Sequence, residues 1–115
     1  MRIIRVYTGK DGESHFEEIE SAFEKMGELE ATALQAATGV AFRRAPGGHV
    51  QNWHPAPRRQ YVITLAGQAE IEVGDGTVRR FEPGDVMLAE DVTGRGHITR
   101  VVGKEPRIYV AIPLG

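Results

Sequence analysis

Gly48-His-Val-Gln-Asn-Trp-His54-Pro-Ala-Pro-Arg-Arg-Gln60-Tyr-Val-Ile-Thr-Leu-Ala-Gly67 is the stretch that organises this chain. Pro55 and Pro57 interrupt regular pairing, and Gly67 ends the run that follows them. Between these breaks, Tyr61, Ile63 and Leu65 fall on one strand face and Val62, Thr64 and Ala66 on the other. Neither face suits water, so both must be covered. One side is read as the interior of a barrel. The other is expected to meet a second sheet, a packed N-terminal segment or a second copy of the chain, which motivates a homodimer.

Downstream, Ala69, Ile71 and Val73 alternate with Gln68, Glu70 and Glu72 before Gly74-Asp75-Gly76 turns the chain, the signature of a hairpin with one wet face. Short β-rich runs recur between glycine and proline turns. Strands are predicted at Ile3 to Thr8, Val40 to Arg44, Arg59 to Leu65, Gln68 to Val73, Thr77 to Phe81, Asp85 to Ala89, His97 to Val102 and Arg107 to Ile112. Such a density predicts an all-β sandwich or barrel rather than a parallel α/β sheet. The segment Ser14 to Ala37 reads two ways. Ser14-His-Phe-Glu17 fits a capping box, and Phe16, Ile19, Phe23 and Met26 recur at helical intervals, yet Gly27 interrupts any long helix. A short helix or an extended arm is expected there.

At 115 residues and 41% hydrophobic content, residues 1–115 are read as a single domain with a modest core. Fourteen Lys and Arg against 16 Asp and Glu leave a net charge of -2, which supplies no field for nucleic acid or an anionic membrane. The absence of cysteine excludes disulfides, thiolate nucleophiles and Cys-based metal sites. The apolar run at Met1 is too short for a signal peptide and no segment suits a spanning helix, so a cytoplasmic location is expected.

A second ordered stretch begins at Gly76, with five residues, then Glu82-Pro83-Gly84-Asp85, a strand, and His97 after the loop Glu90-Asp-Val-Thr-Gly-Arg-Gly96. Pro83 and Gly84 suit a tight turn. Taken together, the two stretches, about residues 48 to 101, resemble the paired signatures of small single-domain cupins. That family's first pattern is Gly, five residues, His-x-His, three or four residues, Glu, six residues, Gly. Gly48, His54, Gln60 and Gly67 stand at the matching places, but Ala56 replaces the second histidine and Gln60 the glutamate. The loop before His97 is also longer than the family's second pattern. The resemblance implies an antiparallel β-barrel or jelly roll with His54 and Gln60 facing the interior. It further implies a metal position at His54, Gln60 and His97 from which two expected ligands have been lost.

A divalent first-row metal needs several N or O donors at about 2.0 to 2.2 Å. His54 and His97 would provide imidazoles and Gln60 a neutral amide oxygen, a set without an anion. The alternative is a polar cluster satisfied by water and hydrogen bonds, in which a histidine titrating near ~6.5 serves as proton donor or acceptor. Around this centre, Arg58 is a candidate anchor for an anionic ligand and Trp53 a candidate stacking wall, against their plainer roles as solvated charge and interface anchor. Asp91 is a candidate to orient His97, or else a turn carboxylate.

Two functional classes follow. One is a small-molecule-binding barrel with a degenerate metal site and no reactive centre. The other is a small enzyme acting on an organic metabolite, by metal-dependent or histidine-dependent isomerase, decarboxylase, epimerase or dioxygenase chemistry.

Overall fold

The computed structural model describes residues 1–115 and contains strands and no helix. In chain order the strands are β1 (Arg2–Thr8), β2 (Ser14–Glu20), β3 (Glu24–Met26), β4 (Leu29–Ala31), β5 (Ala41–Ala45) and β6 (Val50–His54). They continue as β7 (Gln60–Ala66), β8 (Ala69–Glu72), β9 (Val78–Phe81), β10 (Val86–Ala89), β11 (His97–Val101) and β12 (Arg107–Pro113). A six-stranded sheet runs β2-β1-β10-β7-β12-β5, and a four-stranded sheet β6-β11-β8-β9 faces it; β3 and β4 form a separate hairpin. All neighbours pair antiparallel except β1 and β10, which run parallel with Ile4 opposite Met87 and Val6 opposite Ala89.

The core lies between the two sheets. Val62 and Thr64 of β7 point inward and are buried, matched by Met87 and Ala89 of β10 and by Ile4 and Val6 of β1. From the opposite sheet, Ala69 and Ile71 of β8 and Phe81 of β9 are nearly or fully inaccessible, while Glu70 and Glu72 lie on the wet face. The alternation read from the hairpin at 68–81 is therefore present. Across one open edge, Arg79 of β9 donates to Glu18 of β2 at 2.8 Å and tethers the sheets to each other.

The expected helix at the N-terminal end is replaced by strands. Phe16 and Ile19, spaced as on a helix, instead lie in β2, whose pairing with β1 holds from Arg2 opposite Glu20 to Thr8 opposite Ser14. A seven-residue ladder satisfies those backbone groups, and Ser14, read as a helix cap, sends its hydroxyl to Asp91. Beyond β2 come the β3–β4 hairpin and an extended arm that reaches β5, so the arm half of the expectation is met. The arm crosses the outer face of the large sheet, where the Tyr61 hydroxyl donates to Gln35 at 2.7 Å and Thr38 N donates to the Pro113 carbonyl at 2.9 Å. The radius of gyration is 14.5 Å, against the ~13 Å typical of this length. Also unforeseen was β6. Its sequence, Val-Gln-Asn-Trp-His, carries no clean alternation, and it is held through pairing with β11.

Candidate functional site

The last residue of β6 and the first of β11 are both histidines, and they are register partners, His97 opposite His54. Their rings lie edge to face with centroids 4.5 Å apart. They meet as neighbours in one sheet, and the opposing sheet contributes Gln60, the first residue of β7. All three line a cavity of about 150 Å³ inside the barrel, with Val62, Ile71, Met87 and Ala89 as its apolar wall. Gly96 permits the close approach of the two histidine backbones. It has φ of 80°, and a Cβ there would collide with the His54 carbonyl and the Pro55 nitrogen.

Each imidazole is oriented through Nδ1. That of His54 donates to the Asn52 carbonyl at 2.6 Å, and that of His97 donates to Asp91 Oδ2 at 2.6 Å. The same carboxylate oxygen accepts the Ser14 hydroxyl at 2.6 Å, so Asp91, fully buried, ties β2 to the loop before β11 and fixes the His97 ring. Of the two readings given to Asp91, the orienting one matches the geometry. With Nδ1 engaged in both rings, Nε2 is left without a protein partner. Although His97 is buried, its Nε2 is not among the enclosed polar atoms lacking partners, so it opens onto the cavity. Burial holds the His54 imidazole below its ordinary pKa, helped by the neighbouring His97 and opposed by the bond to Asn52. The neutral form, with a free Nε2 lone pair, is favoured.

Other sequence candidates lie elsewhere. Arg58 is exposed and takes no part in the cavity. Pro57 breaks the strand before it, so the alternation projected back from β7 does not reach Arg58. Its neighbour Arg59 pairs with Glu90, which also accepts from Arg5 at 2.5 Å; burial pushes the Glu90 carboxyl up, and the two arginines outweigh it and hold the group low. Trp53 is half-buried outside the cavity, with the Arg95 guanidinium 3.8 Å above its ring. His49 is exposed, and His15 bonds Asp11 far from the barrel interior.

Sequence reasoning missed Arg107, Tyr109, Arg43 and the contribution of Ser14. Arg107 opens β12, is 4% exposed and lines the cavity. Its Nη2 donates to Thr64 Oγ1 at 2.9 Å, and its guanidinium lies 4.5 Å from the Tyr109 ring centroid. A charged residue at the head of the apolar run Ile-Tyr-Val-Ala-Ile was the available signal. For Ser14 there was none, because its partner is 77 residues away.

No family model matches the chain, and no curated protein matches it. Similar solved structures exist. A cupin 2 conserved barrel domain protein from Salinispora arenicola CNS-205 is 18% identical, covering 82% of this chain and 77% of that one, with a TM-score of 0.53. The Cnp3 cupin domain of Schizosaccharomyces pombe is 15% identical over 89% of this chain and 73% of that one, TM-score 0.54. The fold is that of the cupins. A conserved protein of unknown function from Streptococcus pyogenes is also similar, at 20% identity over 71% of this chain and 69% of that one, TM-score 0.50. At these identities the likeness concerns the cupin fold and carries no reaction with it.

The donor set of the cavity is short of what a metal centre needs. No three His, Cys, Asp or Glu side chains gather at one point. Ala56 stands buried where the resemblance calls for a second histidine, and Asp91 is outside the cavity lining, fully buried, with Oδ2 committed to Ser14 and His97. Two imidazoles and an amide remain, with the Arg107 cation lining the same space. A divalent ion would meet repulsion there and no compensating anion, so these residues do not fit a resident metal.

Proposed function

We propose that this chain is a small-molecule-binding protein whose ligand occupies the cavity inside its cupin barrel and is held by the chain's own side chains. The observation that carries this reading is the convergence of His54, Gln60 and His97, from three strands, on one cavity with an apolar wall. An interior of mixed apolar surface and a few converging polar groups is the usual composition of a ligand site. Two Nε2 atoms with their opposite nitrogens committed accept or donate hydrogen bonds in fixed directions, and Gln60 offers both an acceptor and a donor.

A second reading is favoured by one contact, the 2.6 Å bond between His97 and buried Asp91. A carboxylate behind an imidazole fixes its orientation and tautomer, which aims His97 Nε2 at a bound molecule as a proton donor or acceptor. In that case the chain is a metal-independent acid-base enzyme. The two readings share the site and differ in turnover.

Ligand-observed NMR with a library of small organic molecules tests the common part. Hits should shift the His54 and His97 ring signals, and His54→Ala together with His97→Ala should lose them while retaining the fold. Hits that leave both rings unmoved would reject the cavity as the binding site. Conversion of a bound hit, lost in His97→Gln, would select the enzyme reading.

The outer face of the large sheet is assigned to a second copy of the chain. Met26 and Leu34 border an apolar groove with Tyr61, Ile63 and Val86, and they are 60% and 102% exposed. A groove on a sheet face flanked by a projecting arm suits a two-fold, self-complementary contact.

A further inference from the structure

We infer that the ligand of this cavity is a small organic carboxylate, anchored at Arg107. The inference rests on the reading of the barrel as a small-molecule site and supplies its chemical class.

The guanidinium of Arg107 is buried, yet no carboxylate lies within ion-pair distance of it. Among its five N–H groups only one is committed, to Thr64 Oγ1; Nε is enclosed and has no partner at all. None of the residues lining the cavity is acidic, and a second arginine, Arg43, lines its rim from the neighbouring strand. Asp91 sits behind His97, outside the lining, and its Oδ2 is engaged by two donors. Burial accordingly drives the Arg107 pKa downward, with Tyr109 opposing it.

Removing a cation from water without a counter-charge is costly, and a buried charge is ordinarily paired. Here the pair is incomplete within the chain and the residue lines the cavity; with Nε enclosed, the donors left for a ligand are those of Nη1 and the second hydrogen of Nη2. The guanidinium carbon lies 4.5 Å from the centre of the Tyr109 ring and Nη2 is pinned by Thr64, so the remaining donors are oriented before any ligand arrives. A planar fork with unused donors matches the two oxygens of a carboxylate. The apolar wall of Val62, Ile71, Met87 and Ala89 then suits a short carbon skeleton, in preference to inorganic phosphate.

Isosteric probes separate this inference from the reading beneath it. Butyrate with butyramide, and benzoate with benzamide, differ in charge and scarcely in shape; titrations would follow the Thr64 amide and the His54 and His97 rings by NMR, with inorganic phosphate as a third probe. The carboxylates should saturate those signals and bind at least about tenfold more tightly than the amides, the effect of one charge-assisted hydrogen bond. Arg107→Met should abolish that preference, and Arg107→Lys, which keeps the charge and loses the fork, should weaken it. Amides that bind the cavity as tightly as carboxylates overturn the carboxylate class and leave the ligand site standing. Phosphate binding more tightly than either carboxylate also overturns it. Silence of the cavity signals toward both carboxylates and amides refutes the inference and the ligand reading together. Should Arg107→Met fail to fold, the selectivity of the wild type and of Arg107→Lys decides the matter.

Discussion

Gly96 and Gly103 share a φ of 80°, but only Gly96 has a neighbour in the way of a side chain. That pair makes a controlled experiment on how the two site histidines are brought together. Gly103→Ala meets open space and should cost only the left-handed backbone strain, about 1–2 kcal/mol. Gly96→Ala incurs the same strain and also drives its Cβ into the carbonyl of His54. Restoring ordinary van der Waals separation there requires a backbone displacement on the order of 1.5 Å. A displacement of that size exceeds what the neighbouring 2.9 Å bond from Ala56 N to the Asp91 carbonyl can absorb, and it opens the β6–β11 pairing at His54 and His97. Two or three lost backbone bonds at roughly 0.5–1.5 kcal/mol each add about 1–4 kcal/mol to the strain. In urea denaturation, with a slope of about 1–3 kcal/mol/M, the midpoint of Gly96→Ala should therefore fall about 0.3 M or more below that of Gly103→Ala. Where the fold survives, the His54 and His97 ring signals should move only in Gly96→Ala. Equal midpoints for the two variants would refute the steric argument and with it the role given to Gly96 in assembling the site.

The remaining expectations can be checked on the same protein. His54 is held below its ordinary pKa, so the unfolded chain takes up the proton first; stability conferred above about 6.5 should decline as pH falls from there toward the folded value, and His54→Gln should flatten that decline in pH-dependent melting. Replacing an unpaired buried cation, Arg107→Met should leave the ligand-free protein as stable as wild type or up to about 2 kcal/mol more stable in urea, and a large loss would mean that the guanidinium serves the fold. Light scattering should give a dimer at micromolar concentration that Leu34→Asp converts to a monomer; a wild-type monomer would remove the assignment of the outer face. Protein purified without a histidine tag should carry divalent metal well below stoichiometry by elemental analysis, and stoichiometric metal lost in His54→Ala would contradict the donor-set argument.

Much of the barrel was legible because its signals are local. Alternation in β8 and turns at Gly74 to Gly76 and Pro83-Gly84 depend on neighbours a few residues apart, and both are found where the sequence places them. The helical spacing of Phe16, Ile19, Phe23 and Met26 misled because β2 is fixed by β1, and β1 by its parallel contact with β10. No window around residue 16 contains that information. The site divides in the same way. His54, Gln60 and His97 could be picked out because they stand at matching places in the signatures the chain resembles, whereas the Asp91–Ser14 tie and the lone cation of Arg107 are properties of what surrounds them in space. Arg58 shows the limit from the other side: of its two readings, anchor in the cavity or solvated charge, it is the exposed one that the structure shows.

The bond from Ser14 to Asp91 spans 77 residues, and the strand carrying Ser14 is attached to the barrel through the parallel junction of β1 with β10. Nothing local assists that junction. The β1–β2 hairpin can form early by itself, but its docking must await β10 and pays a loop-closure entropy that grows with the span. His97 thus receives its complete support only when the two ends of the chain have met. In a refolding experiment the β8–β9 hairpin should gain structure first and ligand-binding competence should appear with the last kinetic step, so that occupancy of the cavity marks completion of the fold rather than collapse.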